Sequence, residues 1–86
     1  MTQPKVQMYV TGWCPYCERA RRLLQKKRVD FEEIDVGERP EALAEMAARS
    51  GRRTVPQIFI GEQHVGGSDD LYALEAAHGL DPLLNP

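Results

Sequence analysis

At 86 residues the chain has room for one core and not for two, because each half of a divided chain would bury too little surface to hold together. Its 42% hydrophobic and 28% charged residues exclude a disordered chain, and a net charge of −2 gives no electrostatic footprint for nucleic acid or an anionic membrane. No apolar run approaches the ~20 residues of a membrane span, and Met1 to Gln7 lacks the apolar stretch of a secretory signal, so a reducing cytoplasm is the expected setting.

The first element is a strand. Val6, Met8 and Val10 alternate with Gln7 and Tyr9, a period of two. Thr11-Gly12-Trp13 links it to a helix predicted over Pro15 to Arg28, where Cys17, Ala20, Leu23, Leu24 and Lys27 form one stripe. Cys14 is the expected N-cap and Pro15 the first helical residue, where a missing N–H costs nothing. Lys26, Lys27 and Arg28 crowd the last turn, as the helix dipole favours.

Phe31 to Val36 reads as an edge strand, its Ile34 and Val36 set among Glu32, Glu33 and Asp35. Gly37 and Pro40 open a second helix, carried by Leu43, Met46 and Ala47 and ended by Ser50-Gly51. Strand, helix and strand in succession make a βαβ unit with parallel strands and a right-handed crossover. Val55 to Ile60 follows as a central strand covered on both faces, to judge from its unbroken Ile58-Phe59-Ile60 run.

Gly61-Glu62 is a two-residue hairpin turn of type II′, with Gln63 to Val65 as the return strand. Gly66-Gly67 breaks that strand, and Ser68 caps a third helix with Asp69 and Asp70 in its first turn. Leu71, Leu74 and Ala77 supply the buried stripe, Gly79 the stop, and the tail packs one more turn through Leu80, Leu83 and Leu84. The order β-α-β-α-β-β-α implies one mixed four-stranded α/β sheet with helices on both faces, in a single domain over residues 1–86.

Two cysteines are too few for a secreted disulfide framework. Cys14 and Cys17, three positions apart at a helix start, can meet across one turn, to close a disulfide or hold a soft metal. Cys14 would face unpaired backbone N–H groups and the positive end of the helix dipole, the setting of reactive cysteines.

Three separated motifs together narrow that choice. Cys14-Pro15-Tyr16-Cys17 after the first strand, Thr54-Val55-Pro56 before the third, and Gly66-Gly67-Ser68-Asp69-Asp70 before the last helix resemble a dithiol glutaredoxin, within the thioredoxin-like superfamily. The likeness runs nearly end to end and is greatest to the short bacterial form, including the closing Gly79-Leu80-Asp81-Pro82-Leu83-Leu84.

That resemblance implies a glutathione-dependent thiol–disulfide oxidoreductase serving electron transport and cell redox homeostasis. Cys14 would be the nucleophile and Cys17, deeper on the buried stripe, the resolving thiol, its pKa above that of an exposed cysteine. Glutathione, as reductant and not a permanent cofactor, would lie along Tyr16, Thr54, Val55, Pro56, Gly67, Ser68, Asp69 and Asp70. A cis Val55–Pro56 bond would offer the Val55 backbone to the glutathione cysteine like an added strand. The N-terminus of the third helix would take the γ-glutamyl carboxylate and an Asp side chain its amino group, with Asp70 preferred over Asp69.

Protein partners would be disulfide-bonded or glutathionylated proteins, with ribonucleotide reductase a candidate, and glutathione reductase indirectly. The chain would act as a monomer.

Some features lie outside the family pattern. The family often has a lysine three residues before the nucleophile, where this chain has Thr11; Arg49, Arg52 or Arg53 would have to meet the glycine carboxylate instead. Trp13 is more like the residue before a thioredoxin site, shielding the thiolate, shaping protein docking or packing half-buried. His64 and His78 read as surface or packing residues.

The alternative from another class is a [2Fe–2S] cluster held between two subunits by Cys14 and glutathione thiols, disfavoured by Pro15. A structural zinc site needs about four ligands and the chain offers two. A third reading exchanges glutathione for thioredoxin reductase as electron donor, which the acidic pair after Gly66-Gly67 argues against.

Overall fold

The structure, a computed structural model, describes residues 3–86; Met1 and Thr2 lie outside the described residues. In chain order the elements are β1 (Val6–Val10), α1 (Pro15–Lys26), β2 (Glu32–Asp35), α2 (Pro40–Ser50), β3 (Gln57–Ile60), β4 (Gln63–Gly66), α3 (Ser68–Ala76) and α4 (Leu80–Leu84). The strands form one mixed sheet in the order β2-β1-β3-β4. β1 runs parallel to β2 and antiparallel to β3, and β3 runs antiparallel to β4. This is the expected order, with the tail turn added as α4.

Side-chain alternation on the two central strands divides the core between the sheet's faces. Val6, Met8, Val10, Ile58 and Ile60 point to one face, where they pack with Cys17, Ala20, Leu23 and Leu24 of α1, Leu71 of α3, and Leu80 and Leu84 of α4. Tyr9 and Phe59 point to the other, beneath Ala42 and Met46 of α2. Tyr9, one of the intervening residues of the β1 pattern, is thus as buried as Met8, because α2 covers the second face. Full burial of each leucine on the α1 stripe stabilises the fold by about 1.5–3 kcal/mol.

Element ends depart from the sequence pattern at identifiable points. α1 stops at Lys26, not Arg28, because Arg28 takes the left-handed conformation (φ 58°) without a glycine to supply it. Lys27, expected on the apolar stripe, instead ties three helices, its ammonium 2.7 Å from Glu75 and 2.9 Å from Asp81. β2 is confirmed at an edge but trimmed to Glu32–Asp35. β3 begins at Gln57, since Pro56 has no N–H to donate to a ladder.

The third helix differs at both ends. Gly67, not Ser68, is its N-cap, and Ser68 is the first helical residue. At its far end the left-handed residue is His78 (φ 61°), while Gly79 leads into α4. At the hairpin Gly61 has φ 61°, as the expected turn requires of its first central residue. Among the described residues no helix is long and apolar enough to cross a membrane.

Gly66 is the position where glycine is required twice. Its φ is 119°, and a Cβ there would meet the Asp70 Cγ at 2.7 Å. Gly66→Ala therefore strains the backbone and displaces the Asp70 carboxylate together. The expected loss is about 2–3 kcal/mol of unfolding free energy, measured by urea denaturation.

Candidate active site

Strand direction brings the three motifs to one end of the sheet. Because β1 and β3 are antiparallel, the loop leaving β1 at Val10 lies beside the loop entering β3 at Gln57. Because β3 and β4 are antiparallel, the exit of β4 at Gly66 comes to the same end, opposite Ile58. A Cβ on Gly67 would contact the Pro56 carbonyl oxygen at 3.4 Å, which measures how near the last two motifs come.

Cys14 is the N-cap of α1, in extended conformation (φ −152°, ψ 118°), with Pro15 opening the helix as expected. Its carbonyl accepts the Glu18 N–H at 3.0 Å. Its side chain is half-buried, while Cys17, one turn on, is 1% exposed and part of the core. Burial pushes the Cys17 thiol up to about 11, and neighbouring Cys14 adds in the same direction, against the Thr11 backbone and Arg21. The two thiols thus differ sharply in access to solvent.

A groove of about 340 Å³ opens beside this turn. Tyr16 closes one side, Thr54, Val55 and Pro56 form the wall, and Gly67 to Asp70 form the far end, so all eight residues expected to meet glutathione line one space. The Val55–Pro56 peptide is cis, as expected from the resemblance. Ser68 is 3% exposed, and its Oγ has no hydrogen-bond partner among the described residues.

The acidic pair is not equivalent. Asp70 Oδ2 accepts the Gly67 N–H at 2.9 Å and Arg52 Nη1 at 3.0 Å. The first of these contacts, then the second, holds its carboxyl below the usual range. Asp69 projects into solvent, its side chain 86% exposed, with Arg19 at 3.6 Å.

The arginines named from sequence separate by position. Arg52 lines the groove. Arg49 is committed elsewhere: it donates to Tyr9 Oη at 2.8 Å and Gln7 Oε1 at 3.1 Å, and lies 3.9 Å over the Phe59 ring. Arg53 is exposed and does not line the groove. Near the cysteines, Arg21 is held by Glu18 and Glu33, and Arg19 stacks 4.9 Å over Tyr72, so neither stands as a bare charge.

Trp13 is 82% exposed, which removes the half-buried packing reading; it does not line the groove. Gln57 is a further groove residue, outside those that the motifs single out. It is 1% exposed, lines the groove from below and bonds to Thr54 and His64. The available signal was a lone amide at the head of an otherwise apolar central strand. His64 is a packing residue as expected, stacked on Phe59 at 4.9 Å. Burial foremost, then Arg52, and to a lesser degree Arg49, lower its pKa against Asp70. Among the described residues no three His, Cys, Asp or Glu side chains converge as a metal site would.

Comparison with known proteins agrees with this arrangement. The glutaredoxin family pattern matches residues 6–65. A glutaredoxin of Pseudomonas aeruginosa is 60% identical over 82 residues, 95% of this chain and 98% of that one. The solution structure of a Brucella melitensis glutaredoxin is 56% identical with a TM-score of 0.83, covering 95% of this chain and 89% of that one. A buckwheat glutaredoxin, crystallised in complex with glutathione, superposes with a TM-score of 0.86 at 26% identity, covering 94% of this chain and 76% of that one. The sheet, the paired thiols and these likenesses place the chain in the glutaredoxin family of thiol–disulfide oxidoreductases, with a thioredoxin-like fold.

Proposed function

We propose that residues 1–86 act as a single, monomeric, cytoplasmic glutaredoxin domain that uses glutathione to reduce protein–glutathione mixed disulfides and protein disulfides. The observation that carries this reading is the groove: three segments far apart in sequence supply its lining beside the turn that holds both thiols. That a glutaredoxin of the same fold has been crystallised with glutathione supports the choice of ligand.

Cys14 is the nucleophile in this reading. Its thiolate attacks the glutathione sulfur of a mixed disulfide; that S–S bond breaks, the protein thiolate leaves and takes up a proton, and a Cys14–glutathione disulfide forms. A second glutathione thiolate attacks the glutathione sulfur, restoring Cys14 and releasing oxidised glutathione, which glutathione reductase would recycle. With a protein disulfide, Cys14 first attacks one substrate sulfur, breaking that S–S bond and forming a mixed disulfide. Cys17 then attacks the Cys14 sulfur, the second substrate thiolate leaves and takes up a proton, and a Cys14–Cys17 disulfide is left for two glutathiones to reduce.

The elevated Cys17 pKa suits this division. A thiol with a pKa of about 11 is almost wholly protonated near neutrality, so external glutathione competes well for a glutathionylated Cys14.

Within the groove, the Val55 backbone would pair with the glutathione cysteine and Tyr16 would cover it. The first N–H groups of α3, with Ser68 Oγ, would meet the γ-glutamyl carboxylate. Between the acids Asp70 would meet the amino group, since only its Oδ2 is engaged, by Gly67 and Arg52, while Asp69 projects into solvent beside Arg19. Arg52, which lines the groove, would meet the glycine carboxylate in place of the lysine often found where this chain has Thr11.

Cys14→Ser should reduce turnover of a glutathionylated peptide, coupled to glutathione reductase, to background, while Cys17→Ser retains it and loses only protein-disulfide reduction. Activity remaining in Cys14→Ser would sink the assignment. Asp70→Asn should raise KM for the same peptide about fivefold, the scale of one half-exposed charged contact, with kcat little changed.

A pH titration tests the thiol asymmetry separately. Because the folded Cys17 pKa lies above the ordinary thiol value of 9.0, its contribution is fully present below pH 9 and lost as pH rises through about 11. Denaturant unfolding of the reduced protein should lose on the order of 2 kcal/mol across that window, beyond the loss shown by Cys17→Ala.

A further inference from the structure

We propose that Gln57 and His64 are positioning residues for the groove, holding Thr54 and its loop in the orientation that accepts a glutathionyl group. This rests on the glutathione reading above. Gln57 opens a central strand whose other members, Ile58, Phe59 and Ile60, are apolar and buried. Burying a primary amide there is unfavourable unless both its ends are satisfied, and an apolar residue would fill the site without that cost.

Both ends are satisfied, and in a definite sense. Gln57 Nε2 donates to the Thr54 carbonyl at 3.1 Å and lies 3.2 Å from Thr54 Oγ1. A carbonyl oxygen only accepts, so the amide nitrogen must face Thr54 and Oε1 must face away from it. His64 Nε2 lies 2.7 Å from that oxygen and must therefore carry the proton, as the donor. The result is a directed chain, His64 to Gln57 to Thr54, from the edge strand β4 through β3 to the groove wall.

The first link is anchored by the sheet. His64 pairs with Phe59 in the β3–β4 ladder and stacks on its ring at 4.9 Å with a 30° interplanar angle. Beyond that pair the register shifts, so that Gly66 and not Val65 lies opposite Ile58. A bulge of this kind strengthens local twist and re-aims the residues beside it. Here the shift comes just before Gly67, which lines the far end of the same groove. The regular Phe59–His64 pair thus holds the donor, and the shift beyond it leads into the opposite wall.

Steady-state kinetics with a glutathionylated peptide test this. His64→Phe keeps an aromatic ring on Phe59 and removes the donor; Gln57→Met removes the whole link. Each should raise KM about fivefold to tenfold with kcat within about twofold, the effect of leaving a buried polar group without its partner. His64→Gln, which returns an N–H at similar reach, should bring KM back to within about twofold of wild type. The Gln57 side-chain amide should exchange slowly in wild type and rapidly in His64→Phe, read by NMR.

Unchanged KM in folded His64→Phe and Gln57→Met, with wild type turning over the peptide, overturns the positioning role alone. So does a parallel fall of kcat and Tm that His64→Gln fails to rescue. A wild type inert toward the peptide overturns the glutathione reading and this inference together.

Discussion

Backbone pairing between β1 and β3 runs antiparallel, with Val6 opposite Ile60 and Tyr9 opposite Gln57. Everything at the site follows from that register. A parallel pairing would carry the cysteine turn and the Pro56 loop to opposite ends of the sheet. A slip by one residue would turn Val6, Met8 and Val10 toward α2 and leave Tyr9 among the leucines of α1. Since one sheet face packs on three helices and the other on α2, the hydrophobic pattern resists both errors.

The two faces then take different work. The face beneath α1, α3 and α4 is apolar core, and its chemistry reduces to the depth at which it holds Cys17. The face beneath α2 mixes aromatic packing with polar groups: Arg49 over Phe59, its guanidinium bonded to Tyr9, and Gln57 between Thr54 and His64. Tyr9 Oη also bonds to Glu45, so α2 is tied to the sheet by directional contacts as well as by Met46. Directional bonds fix orientation where apolar contact alone tolerates sliding.

Helix geometry also separates the thiols without any special residue. The N-cap lies outside the helical stripe, and a residue three positions on returns to it. Cys14 therefore stays at the rim and Cys17 enters the core. The same logic divides Asp69 from Asp70: the third helical residue reaches back to the cap N–H, and the second points to solvent. In both pairs adjacent chemistry acquires different environments from position along one helical turn.

Order and type of elements, the α1 cap, the covered β3 strand and the spacing of three motifs were all legible in the residues, because they depend on periodicity and short-range sterics. Helix ends were less so: Arg28 and His78 adopt left-handed conformations that propensity assigns to glycine, and Gly67 caps where Ser68 was expected. Burial of Tyr9, engagement of Lys27 with Glu75 and Asp81, and the commitment of Arg49 to Tyr9 and Phe59 depend on partners distant in sequence.

The same holds at the groove, where Gln57 is fixed by Thr54 on one side and His64 on the other. The sequence by itself determined the fold class and the presence of a dithiol turn, since local patterns encode both. Which acid reaches back to the helix cap, which arginine faces the groove and how far the two thiols differ were decided by the tertiary structure. Those properties belong to contacts across strands and between helices, which no single stretch of chain contains.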